Sequence, residues 1–109
     1  METEGNSGQN KISAKFQKKL VLALESARTR FSIAIATESK STPRDRWKYY
    51  LDTTDQISRS IKKLRNADVD SMPVAPCWIR ALDMLEQLPM HDKALRLSQI
   101  LRDIVMKLE

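Results

Sequence analysis

The sequence predicts an all-α fold, a compact bundle of about four helices, and three observations lead there. Only two glycines stand among 109 residues, both within the first ten, which leaves little for the positive-φ turns of hairpins or the phosphate-cradling loops of nucleotide folds. Apolar residues recur at helical spacing over four stretches. The four prolines, at 43, 73, 76 and 89, fall in the breaks between them, where a helix cannot continue. A chain of this length buries roughly two thirds of its unfolded surface, enough for one self-sufficient core and one domain.

Residues 1–10 (METEGNSGQN) hold both glycines and no apolar residue after Met1. Nothing in them offsets the entropy of ordering, so a disordered lead-in is expected. From Ile12, the residues Phe16, Leu20, Leu24, Ala27, Phe31 and Ile35 fall on one stripe, which predicts a first helix over 11–38. Thr42 as hydroxyl cap, Pro43 at the first position and Asp45 in the first turn then start a second helix, expected over 43–66. Its stripe is Trp47, Tyr50, Thr54, Ile57, Ile61 and Leu64.

The segment NADVDSMPVAP, with two aspartates and two prolines, reads as an irregular connection. Asp68 and Asp70 have a spacing that a calcium loop uses, but no glycine or bidentate acid follows at loop spacing, so turn-forming aspartates are expected. A third helix over 76–88 places Trp78, Leu82, Leu85 and Leu88 together, with Ile79 and Met84 widening the arc. That width predicts the central helix of the fold. Pro89 ends it, and a fourth helix over 91–108 follows with the stripe Ala94, Leu97, Leu101, Ile104, Val105 and Leu108.

The residue inventory speaks against catalysis and resident metal. Cys77 is the lone cysteine and His91 the lone histidine. A nucleophile pair needs a third orienting group and an oxyanion site, and structural zinc needs about four such ligands. No enzyme, cofactor or metal is expected. The unpaired cysteine and the lack of any signal-length or membrane-length apolar run predict an intracellular protein, nuclear or cytoplasmic.

The net charge of +5 is unevenly spread. Residues 1–10 carry two acids and no bases; 11–65 carry 14 bases against 5 acids, and 66–109 carry 5 against 7. On helix 1, Lys11, Lys15 and Lys18 form a ridge opposite the apolar stripe; on helix 2, Arg59, Lys62, Lys63 and Arg65 crowd the last two turns. Lys11, Lys15, Lys18, Lys62, Lys63 and Arg65 are the candidate phosphate contacts. The plainer account of the second group is the helix macrodipole, with Asp55 one turn before Arg59 to pair with it. Neither group is interleaved with exposed aromatics, since only Tyr49 falls on a polar side.

Apolar residues off the stripes carry the sharper functional signal. Val21, Leu22 and Ile33 point away from the core face of helix 1, and Leu95 and Met106 share a line on helix 4 about 140° from its stripe. Leu22, Ile33, Leu95 and Met106 are the candidate contacts to a protein partner or a second copy of the chain.

Leu82, Leu85, Leu88 and Pro89 form an L-x-x-L-x-x-L-P pattern, and Met90, Leu95, Ser98, Ile100, Arg102 and Ile104 follow at set offsets. This stretch, 78–105, resembles the N-terminal domain of transcription elongation factor S-II and the LEDGF-type helical interaction domains. It covers about a quarter of the chain, with His91 where the family has threonine and Leu101 where it has glycine. The resemblance implies a non-catalytic nuclear module that binds motifs of transcription or chromatin partners. The leading expectation is thus a helical interaction module or adaptor, self-associating as a homodimer or binding a partner segment, with no membrane and no small-molecule substrate. The alternative is a small basic nucleic-acid-binding protein.

Overall fold

The computed structural model describes residues 2–38 and 43–108, with side chains placed for 12–37 and 43–108. Among the described residues there are four α-helices and no strand: α1 (Glu2–Glu38), α2 (Arg44–Asn66), α3 (Pro76–Met84) and α4 (Met90–Leu108). α1 begins at Glu2, ahead of the start expected at 11, while the side chains of the lead-in expected over residues 1–10, Lys11 of the lysine ridge and the expected Thr42 cap all lie outside the residues described at side-chain level.

The apolar stripes explain which faces meet. Phe16, Leu20, Leu24, Phe31 and Ile35 of α1 are buried against Tyr50, Ile57, Ile61 and Leu64 of α2, Trp78 and Leu82 of α3, and Ala94, Leu97, Leu101 and Ile104 of α4. Each large apolar side chain so buried contributes about 1.5–3 kcal/mol, and one continuous core results. Two departures sit on α1: Ile12 is 59% exposed, so the stripe begins at Phe16, and Val21 is buried rather than facing solvent.

Side-chain contacts fix the topology. Gln17 donates to the carbonyls of Leu64 and Ala67, and Phe31 meets Tyr50 edge to face at 6.1 Å, so α1 and α2 are antiparallel. Trp78 reaches Asp103 while Leu82 and Leu85 lie beside Lys93 and Leu97, so the third and fourth helices also form an antiparallel hairpin. α1 packs on α2 and α3, and α4 packs on α2 and α3. The order around the bundle is therefore α1, α2, α4, α3. Tyr49 bonds Ser98 near the start of the α2/α4 seam, while Ser60 and Val105 line its far end, so these two neighbours run parallel.

That order makes the α2–α3 connection cross the end of the bundle. It does so through a 3-10 turn at Val69–Ser71 that lies on α1, with Met72 buried beneath. Asp68 accepts a hydrogen bond from the Asp70 N–H at 3.1 Å, so the aspartates do serve the turn.

The helix bounds follow the breakers with three adjustments, the smallest being that α4 begins at Met90 and not at 91. Pro43 is the N-cap of α2 rather than its first residue, its carbonyl accepting from the Trp47 N–H at 2.9 Å. α3 stops at Met84 and tightens into a 3-10 turn, Leu85–Gln87, before Pro89. The expectation that this helix is the centre of the fold is corrected: only Trp78 and Leu82 are buried along it, and Met84 is 59% exposed. A nine-residue helix against a 37-residue one covers a side of α1 instead of being surrounded.

Candidate functional site

Two grooves flank the C-terminal half of α2, and helix geometry explains why there are two. Core residues Ile57, Ile61 and Leu64 define the inward direction of α2. At 100° per residue, Gln56 and Lys63 point sideways toward α4 and Arg65 sideways toward α1, while Arg59 starts on the outer face, roughly 160° from the inward direction, and its long side chain reaches the α4 side. Lys62 falls between them on the outer face and lines neither groove.

The groove between α1 and α2, about 410 Å³, brings together Lys18, Leu22 and Arg65 with Gln17, Val21 and Glu25. It thus unites two candidate phosphate contacts with one candidate apolar contact. Arg65, however, is ion-paired with Glu25, so its charge is already answered within the chain. Gln17 is likewise committed, donating to the Leu64 carbonyl, which also accepts from the Ala67 N–H, and to the carbonyl of the C-cap residue Ala67.

The groove between the parallel α2 and α4, about 390 Å³, has another character. Buried Leu101 and half-buried Val105 form an apolar floor with exposed Met106 at its edge, and Gln56, Arg59, Lys63 and Arg102 form the polar rim. Among the described residues no carboxylate lines it. Met106 is 75% exposed, so the groove is an open trough. Asp55 and Arg59 form no ion pair among the described residues, contrary to the sequence expectation, and Arg59 instead turns toward α4. The macrodipole accounts for Lys63 and Arg65, which lie in the last turn of α2. It does not account for Arg59 or Arg102, because the effect fades beyond the terminal turn.

The remaining candidates do not converge. Ile33 and Leu95 are exposed, at 61% and 45%, but line neither groove; Leu22, at 63%, and Met106 stand on different grooves. Lys15 is exposed on α1 outside both.

Neither a family model, nor a curated protein, nor a solved structure matches this chain.

Chemistry of other kinds finds little footing. Cys77 and His91 are both exposed, at opposite ends of the α3/α4 hairpin. Trp78, beside Cys77, reaches Asp103, which lies about 18 Å along α4 from His91 at 1.5 Å per residue. Among the described residues no three His, Cys, Asp or Glu side chains cluster as a metal site. No described helix is long and apolar enough to cross a membrane.

Sequence reasoning missed Arg59, Arg102 and Val105 as site residues. The signal for one of them was present: Arg102 lies between Leu95 and Met106 on the same line of α4, at i+7 in an i, i+7, i+11 series. What joined it to Arg59 was the parallel pairing of α2 with α4, which no single-helix pattern encodes.

Proposed function

We propose that this chain is a non-enzymatic, intracellular helical interaction module that docks a segment of a protein partner. The observation that carries this reading is the α2/α4 trough, where apolar Val105, half-buried, and Met106, exposed, remain open to a partner side chain above the buried Leu101 after the core is filled. Methionine suits such a surface because its unbranched, polarizable side chain adapts to different shapes. The transcription or chromatin setting implied by the 78–105 resemblance belongs to the same proposal.

Self-association through this trough is the weaker version. A two-fold interface is isologous, so it would set the cationic rim of Arg59, Lys63 and Arg102 against the same rim of the second copy, and like charges so placed oppose assembly. A photo-crosslinking residue at position 106, with one at position 62 as control, tests the reading in native extract. Adducts from 106 that protease destroys and nuclease does not are expected; adducts of the chain with itself, or none, overturn it.

One observation favours a second reading. Arg59, Lys62, Lys63 and Arg65 sweep from one groove to the other across the outer face of α2, and Lys18 and Arg102 extend that arc onto its neighbours. Such an arc attracts a phosphate backbone. This reading expects a duplex mobility shift that fades steeply between about 50 and 200 mM salt, and nuclease-sensitive adducts in the crosslinking experiment.

A further inference from the structure

The charge of the trough specifies its occupant further. We propose that the α2/α4 groove binds an acidic partner segment whose apolar side chain lies on Val105 and Met106 while its carboxylates meet Arg59 and Arg102. This rests on the reading above and adds the chemistry of the partner.

Three features of the groove select such an occupant. First, its rim holds Arg59 and Arg102, and among the described residues no carboxylate lines it, whereas the α1/α2 groove holds Glu25 paired to Arg65. Second, Arg59 and Arg102 come from different helices and face the same trough, an arrangement that suits two carboxylates on either side of one apolar anchor. Their guanidinium forks match carboxylate geometry in a way that lysine does not. Third, the floor is aliphatic, which serves a leucine-like or aromatic side chain and offers nothing to a phosphate. Tyr49 is the exposed aromatic among the described residues, and its hydroxyl is engaged with Ser98 at 3.3 Å, so no base-stacking platform adjoins the cations.

Electrostatic steering follows from the same layout. A trough rimmed by one sign of charge raises the encounter rate with a segment of the opposite sign and discriminates against basic ones.

Selection of a random peptide library on the full chain, followed by fluorescence anisotropy with the enriched peptides, tests the proposal. Enriched sequences are expected to combine Asp or Glu with one or more large apolar residues. Arg59→Glu with Arg102→Glu is expected to weaken them about tenfold or more, as is Met106→Asp, while Lys62→Glu on the outer face changes affinity less than about threefold. Circular dichroism checks folding, and Arg59→Gln with Arg102→Gln serves if the reversal fails to fold. Peptides without an acidic excess, no enrichment, or undiminished binding to the folded Arg59 and Arg102 variants overturns the proposal. So does a short DNA duplex that displaces the peptides and itself loses affinity on Met106→Asp. Acid-free peptides that still need Met106 would overturn the charge assignment alone, whereas a failure to crosslink any protein from position 106 would remove the interaction reading beneath it.

Discussion

Trp78 is buried, and burial would strand its indole N–H without an acceptor. Asp103 supplies one across the α3/α4 hairpin at 2.5 Å, while the ring lies against Phe16 with centroids 6.2 Å apart. One side chain therefore ties α3 to both of its neighbours. Asp103→Ala is expected to lower unfolding free energy by about 1–3 kcal/mol, the cost of a stranded donor, and Asp103→Asn, which keeps an acceptor, by less. Urea denaturation reads both. Adding Asp103→Ala to Trp78→Phe should cost little more than Trp78→Phe alone, because the partners share one interaction. The sequence marked Trp78 as core but not its partner, because an aspartate on the polar side of α4 looks like any solvated acid. Thr53 and Thr54 repeat the lesson. Periodicity favoured Thr54, yet Thr53 is the buried one, its hydroxyl satisfied by the Tyr49 carbonyl at 3.0 Å. A threonine that bonds one turn back hides its polarity, which a count of apolar residues does not register.

At the scale of elements, α2 shows how a helix end is finished by another helix. Helix ends leave carbonyls short of donors; here the Leu64 carbonyl accepts from the Ala67 N–H and from the Gln17 amide of α1, which also reaches the carbonyl of Ala67 just past the helix. Gln17→Leu retains bulk and removes the donor, so it should destabilise the chain by about 1 kcal/mol. Amide hydrogen exchange should quicken selectively near 62–67, and uniform quickening would mean that Gln17 serves the core as a whole. Stripe and breaker patterns made all four helices legible, since a 3.6-residue period and a proline act locally. The role of α3 was not legible. Its wide apolar arc comes partly from Met84 and Ile79, which are exposed and half-buried, and a short helix holds apolar residues on faces that packing never closes. Ile12 likewise continues the α1 stripe beyond the reach of the other helices.

The whole molecule poses the question of why so many cations gather at one end. Because α2 and α4 are parallel neighbours, their C-termini, each bearing partial negative charge, lie side by side. Lys63 and Arg65 in the last turn of α2 and Lys107 in the last turn of α4 answer that doubled field. Arg59 and Arg102 stand outside those turns and add repulsion to it. The two groups should therefore separate in a stability experiment. Lys63→Gln and Lys107→Gln are each expected to lower stability by about 0.3–1 kcal/mol at low ionic strength, a loss that shrinks as salt screens the dipoles. Arg59→Gln and Arg102→Gln should change it by less than about 0.5 kcal/mol, or raise it, as removal of one of several crowded like charges does. Chemical denaturation in urea, which leaves ionic strength under separate control, distinguishes the cases. Equal losses at all four positions would assign every cation to the fold and deprive the groove of its charge argument. Losses confined to the terminal turns would leave Arg59 and Arg102 as charges that the fold does not need, held over an apolar trough that the core does not fill.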